Sequence, residues 1–262
     1  MEAVNAPQIG IVVPTLGTRP DYLIQALRSI RGAGNCHIVV VAPEPESIRT
    51  NYPTELIDRI VQDPKSGLAE AINLGMRSLP SSVQYANWLG DDDLLSPQSL
   101  EITSHALENS PETVCVFGGC SYIGPDEDVL WVNKSGKYAK WLMRVGPQLI
   151  PQPGLLFTVS AFNEVGGLDS TYEWAFDLDL LLKFSKHGKL LFLPKILSSF
   201  RWHDGSLSVG GRHGSVSEAS KIRRSYLPMA LRGISPVWEF FVRRLILVAG
   251  VVLSRRSRNT ER

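Results

Sequence analysis

The chain has 262 residues, 44% of them hydrophobic and 20% charged, proportions that suit one large or two small globular domains and exclude a disordered or fibrous chain. A formal net charge of +1 excludes the global basic field of a nucleic-acid binder, so no nucleic-acid partner is expected. Cys36, Cys115 and Cys120 form no C-x-x-C pair and read as buried free thiols in a reducing compartment. The N-terminal tail, residues 1–8, has neither a basic start nor an apolar stretch, so no signal peptide is expected there.

Ile9 to Val13 is a wholly apolar, β-branched run ending at Pro14, the pattern of a buried parallel strand. From Asp21 to Ile30, Leu23, Ala26, Leu27 and Ile30 recur at helical spacing, and Gly32 and Gly34 end the helix. Strands are predicted over Ile38 to Val41, Leu56 to Val61 and Tyr85 to Leu89, and helices over Leu68 to Leu79 and Leu100 to Leu107. Alternating strands and helices imply βαβ units and a mostly parallel central sheet. In such sheets ligands bind at the carboxyl ends of the strands. The loops after Pro14, Ala42 and Leu89 all lie there. The second half predicts a hairpin of Val114 to Tyr122 with Val129 to Trp131, and strands over Leu155 to Thr158, Leu190 to Leu193 and Ile196 to Trp202. It also predicts helices over Phe176 to Lys186 and Ser217 to Leu231. Gly205 to Gly214, rich in Gly and Ser, reads as a mobile loop.

Three sets of residues carry chemistry. Asp91, Asp92 and Asp93 follow a buried strand directly, and each carboxylate there must be solvated, protonated or paired with a cation. A hard divalent cation suits them. So does a helix-capping role, with Asp93 or Ser96 capping a helix that starts near Pro97. Spacing alone leaves the two readings level. Asp177 and Asp179 open a helix among apolar residues. That setting raises a carboxylate's proton affinity as a general base requires, although first-turn acids also stabilise helices electrostatically. His203 ends a strand beside Asp204, and an imidazole near a carboxylate site is a candidate Mn²⁺ ligand. Gly17-Thr18-Arg19 matches a G-T-R loop of sugar nucleotidylyltransferases only weakly, because Pro14, Thr15 and Leu16 stand where phosphate-cradling glycines are needed.

In chain order, Ile11-Val12-Val13-Pro14-Thr15, the helix Leu23 to Ile30, Gly67 to Gly75, Trp88 to Asp93, and Val165-Gly166-Gly167-Leu168-Asp169 followed by Phe176 to Leu180 resemble the motifs of glycosyltransferase family 2. The resemblance covers roughly residues 9–210 and implies a GT-A fold, a nucleotide-diphospho-sugar donor (a UDP-sugar first), and Mn²⁺ or Mg²⁺. It implies that Pro14 and Thr15 line the nucleotide, that Arg19, Asp63 and Asn73 belong to the donor site, and that Asp91 lies near the ribose with Asp92 supporting the turn. Asp93 and His203 would hold the metal and Asp177 would be the catalytic base. The family's base-contacting Asp after the second strand is replaced by Ala42-Pro43-Glu44, for which Glu44 or Asp63 would substitute. Phe176 replaces the acid of the E-D motif. The implied organisation is a catalytic domain 9–210, with a nucleotide-binding half 9–95 and an acceptor half 96–210, followed by a helical, basic segment 211–262.

Within that last segment, the stretch from Arg243 to Arg262 holds Arg243, Arg244, Arg255, Arg256, Arg258 and Arg262 against one acid, Glu261. Its apolar runs are far short of the ~20 residues that span a bilayer, and an amphipathic interfacial helix at the inner face of the cell membrane is expected, the alternative being a helix docked on the core with a solvated basic end. A glycan or lipid-linked acceptor would suit that setting. Alternatives are a sugar-phosphate nucleotidylyltransferase and a non-catalytic nucleotide-sugar module at a membrane.

Overall fold

A computed structural model describes residues 8–134, 136–203, 205 and 212–260. Most of the loop expected over Gly205 to Gly214, the tail 1–7, Asp204 and Arg262 lie outside the described residues. The side chains of Arg255, Arg256 and Arg258 do too.

The core is a mixed nine-stranded sheet. Its strands are β1 (Ile9–Pro14), β2 (His37–Ala42), β3 (Arg59–Gln62), β4 (Tyr85–Trp88), β5 (Leu94–Leu95), β6 (Thr113–Ile123), β7 (Val129–Asn133), β8 (Leu156–Thr158) and β9 (Lys189–Arg201). Their order is β3-β2-β1-β4-β8-β6-β9-β5, with β7 paired to β6. The first four strands pair in parallel. The second half is mixed rather than mostly parallel, since β8, β7 and β5 pair antiparallel with their neighbours.

The continuous apolar runs of β1 and β2 arise because both sheet faces are covered. Alternate residues of β1 face opposite ways. Ile9, Ile11 and Val13 pack with α1 (Pro20–Ala33) and α4 (Ser99–Glu108), whereas Val12 packs with α3 (Leu68–Arg77) and α7 (Phe176–His187). Helix α3 approaches so closely that a Cβ on Gly75 would lie 2.3 Å from Val12 Cγ1. All three cysteines are free and buried.

Several elements depart from the sequence reading. The strand expected from Leu56 begins only at Arg59, after a single 3-10 turn, Thr54–Leu56. The two strands expected around Pro194 are one strand, β9. The register against β6 shifts between Phe117 and Gly119, opposite Phe192 and Ile196, so the proline sits in an irregular stretch where no ladder donor is needed. The helix expected over Ser217 to Leu231 is two, α8 (Arg212–Tyr226) and α9 (Met229–Arg232), because Pro228 cannot continue the first. Short helices α2 (Pro45–Asn51), α5 (Ala139–Leu142) and α6 (Val159–Glu164) also form. The chain ends in α10 (Ser235–Thr260), which packs on α8 and β7.

Candidate active site

The Asp triplet does not cap a helix. Helix α4 begins at Ser99, its N-cap is Gln98, and no side chain caps it. The three carboxylates instead fold back around Gly90, where a Cβ would meet Asp92 Oδ1 at 2.8 Å and Asp93 Oδ2 at 3.2 Å. The turn points them in different directions.

Asp91 is buried and accepts from Thr15 Oγ1 at 2.5 Å and from Arg19 Nη2 at 2.5 Å. Burial raises its pKa, opposed by Thr15 and Arg19. Asp92 meets Arg19 Nη1 at 2.7 Å and His203 Nε2 at 2.9 Å through Oδ2. Burial pushes its carboxyl up, but the His203 and Arg19 contacts outweigh this and leave it below the ordinary value. Arg19 Nη1 also lies 3.2 Å from His203 Nε2. Residues from the β1 loop, the β4 turn and the end of β9 thus converge on one guanidinium.

Asp93 is turned away. Its Oδ1 accepts from Arg201 N at 3.0 Å, and burial followed by the Asp92 charge pushes its pKa well above the usual range. Sequence pairs His203 with Asp93, and the structure pairs it with Asp92. The reason is the strand end: Asp93 is committed to the backbone of Arg201, two residues before His203. The fully buried Arg201 side chain locks the same turn, donating to Asp92 O at 3.0 Å, Pro125 O at 2.8 Å and Gln25 Oε1 at 2.7 Å.

Asp177 lies in the first turn of α7 and is half-buried. Phe176 packs tilted against Trp88, the last residue of β4, with centroids 6.3 Å apart. This contact explains an apolar residue where the resembled motif has an acid. The lost polar neighbour is supplied by Gln148, whose Nε2 donates to Asp177 Oδ2 at 2.8 Å. Burial raises the Asp177 pKa, with Gln148 acting against it. Helix α7 has no side-chain N-cap of its own. Glu218 of α8 takes that role, accepting from the backbone N–H groups of Glu173, Trp174 and Ala175 at 3.0, 2.7 and 2.7 Å, where orphan donors and the helix dipole favour a carboxylate. Gln148, Arg201 and Glu218 carry no local sequence signal that would mark them. Their partners lie 29 to 176 residues away.

The remaining expected residues are dispersed. Pro14 ends β1 beside Thr15. Glu44 is exposed at the start of α2, and Asp63 follows β3, its Oδ1 accepting from Lys65 N. Asn73 is on α3. Its amide is spent on Leu168, donating to the carbonyl at 2.9 Å and accepting from the N–H at 3.0 Å, which makes it a strut between α3 and the Val165 to Leu168 turn. Among the described residues no group of three His, Cys, Asp or Glu side chains is gathered as a metal cage. Asp92 and His203 are a two-donor set, which fits an ion that takes its other ligands from water and substrate phosphates.

The architecture recurs in solved structures. The mannosyltransferase PcManGT from Pyrobaculum calidifontis, solved with GDP-Man and Mn²⁺, aligns at a TM-score of 0.63 and 14% identity, over 94% of this chain and 74% of that one. TarS 1–349 from S. aureus, solved with UDP-GlcNAc, aligns at 0.59 and 12% identity, over 84% of this chain and 65% of that one. The chain has the GT-A fold. No family model matches its sequence. A Rickettsia typhi protein named uncharacterized glycosyltransferase is 24% identical over 212 residues, 76% of this GT-A chain and 65% of the relative. Pasteurella multocida chondroitin synthase is 25% identical over 156 residues, 58% of the chain and 15% of the synthase. The GT-A chain thus spans just under two thirds of the Rickettsia relative and a small part of the synthase.

Proposed function

We propose that this chain is an inverting glycosyltransferase of the family 2 type. It moves a sugar from a nucleotide-diphospho-sugar, a UDP-sugar first, to an acceptor hydroxyl in cell-surface polysaccharide or glycolipid synthesis. The observation that carries this reading is the convergence of Arg19, Asp91, Asp92 and His203 at the strand ends, with the start of α7, which bears Asp177, packed on the end of β4 through the Trp88–Phe176 contact.

In this reading Pro14, Thr15 and Asp91 face the nucleoside, with Glu44 and Asp63 at the base end. Arg19 orients the diphosphate. Asp92 and His203 are the residues that would hold Mn²⁺ or Mg²⁺, replacing Asp93 in the sequence-based pair. The bound ion supplies positive charge to the departing nucleoside diphosphate. Asp177 accepts the acceptor's hydroxyl proton. The acceptor oxygen forms its bond to the anomeric carbon as the bond from that carbon to the diphosphate oxygen breaks on the opposite face. Incubation with a panel of nucleotide sugars, Mn²⁺ and simple glycosides tests the reading. Release of nucleoside diphosphate with a new glycosidic bond is expected. Pyrophosphate release from a nucleoside triphosphate and sugar phosphate would favour a nucleotidylyltransferase instead. Binding without turnover would favour a non-catalytic module.

The C-terminal region supports attachment to the inner face of an anionic membrane. On α10, Val237, Phe241, Leu245, Val248 and Val252 are all exposed at 46 to 67%, spaced four, four, three and four residues apart, so they form one stripe. Arg243 and Arg244 are exposed beside it, and Glu239 pairs internally with Arg224 at 3.2 Å. A second copy packed on this stripe would oppose arginines to arginines, whereas anionic lipid complements them. The exposed Tyr138 and Trp141, with Lys137, Lys140 and Arg144 over their rings, form a second patch of interfacial character. Among the described residues no helix is long and apolar enough to cross a membrane. The protein is expected to float with phosphatidylglycerol-containing liposomes and not with pure phosphatidylcholine ones, and Phe241→Asp is expected to abolish flotation. Wild-type protein remaining at the bottom of the gradient in both would end the membrane reading.

A further inference from the structure

A row of aromatic rings crosses β7, β6 and β9. The register sets Trp131 opposite Tyr122 and Tyr122 beside Phe200, so the three share one face of the sheet. Trp202 continues the line two residues beyond Phe200. Centroid separations from Tyr122 are 5.1 Å to Trp131, 5.3 Å to Phe200 and 6.1 Å to Trp202. Cross-strand aromatic pairs stabilise many sheets, so the row by itself identifies no ligand.

Two further observations do. Trp131 leaves 41% of its surface open, and Trp202 and Phe200 are half-buried, so the row is a wall facing outward. One end of the row also adjoins the candidate active site along the chain. Trp202 precedes His203, which bonds Asp92. Burial raises the Tyr122 phenol's pKa, and the charges of Cys120, Asp93 and Asp177 add to the rise. Two residues beyond Trp131 on the same strand face, Asn133 donates to Leu149 O at 3.0 Å, next to the Gln148 that holds Asp177. In the strand order the row stands on β6, β9 and β7, on the other side of β4 from β1, β2 and β3, where the loops for a nucleoside lie.

We propose that Tyr122, Trp131, Phe200 and Trp202 form the acceptor subsite and take a pyranose ring against the open face of Trp131. One face of a pyranose is lined with C–H groups, which are drawn to the negative face of an aromatic ring, while its equatorial hydroxyls stay free to reach a carboxylate. The proposal rests on the sugar-transfer reading and names the substrate class at its acceptor end.

Saturation-transfer NMR of the full chain with methyl β-glycosides of glucose, galactose, mannose, N-acetylglucosamine and glucuronic acid tests it without relying on turnover. At least one glycoside is expected to give signal with the wild type. Trp131→Ala should weaken its binding about tenfold, the size of a lost ring contact, and Trp131→Phe should restore most of it. Equal binding by wild type and Trp131→Ala, or no signal from any glycoside with the wild type, overturns the subsite. Loss of nucleotide binding in Trp131→Ala with glycoside binding unchanged also overturns it and assigns the wall to the donor's base. The transfer reading is judged separately, by nucleoside diphosphate release, so either can fail alone.

Discussion

Asp177→Asn is expected to lower sugar transfer by about 10³-fold, within the range a positioned general base contributes, while nucleotide-sugar binding stays near wild type. The substitution keeps the shape of the side chain and its contact with Gln148 but removes the proton acceptor. Isothermal titration with the donor and a transfer assay separate the two effects, and undiminished turnover would sink the assignment. The pH profile adds a signed test. The reaction needs the Asp177 carboxylate, so activity is lost as pH falls through its pKa. Burial raises that pKa above 3.8, so the acid limb should lie above that of an ordinary aspartate. The Gln148 amide acts in the opposite direction by hydrogen-bonding the charged form. Gln148→Leu should therefore move the limb to still higher pH, and a limb that stays in place or moves down argues against Gln148 as the positioning partner.

Asp92→Ala and His203→Ala are each expected to weaken Mn²⁺-dependent nucleotide binding by about 100-fold, the scale on which metal-site groups act. Asp93→Ala should behave differently. It strands the Arg201 backbone N–H inside the protein, a loss of about 1–3 kcal/mol visible as a lower melting temperature, with Mn²⁺ affinity kept within a few-fold. Calorimetric titration of Mn²⁺ and nucleoside diphosphate, alongside thermal unfolding, reads both quantities. If Asp93→Ala lost the metal and Asp92→Ala kept it, the sequence-based pairing of Asp93 with His203 would be restored.

The two outcomes depend on different kinds of information. The strands of the first half were legible because runs such as Ile9 to Val13 are buried on both faces, and burial of that kind leaves a continuous apolar signature. The order of motifs from Pro14-Thr15 to Asp177 also sufficed to indicate the GT-A fold. Local pattern failed where neighbours distant in sequence decided the outcome. Pro194 looked like the end of a strand, but an irregular register against β6 absorbs it. Nor did local pattern show that the Asn73 amide, on a motif helix, is bonded to Leu168, 95 residues away.

The triplet shows the same division most sharply. Three adjacent carboxylates after a strand marked a costly turn in the sequence alone, with metal binding and helix capping level as its reason. Their separate orientations did not follow from it, because adjacent side chains on a turn are sorted by whatever packs against them. Arg201 holds the backbone of that turn and takes the Asp93 carboxylate, Thr15 and Arg19 take Asp91, and Arg19 and His203 take Asp92. The sequence by itself determined the strands of the opening half and where the charge would gather. Only the tertiary structure decided which carboxylate faces which partner, since β1, β4 and β9 meet there from opposite ends of the chain.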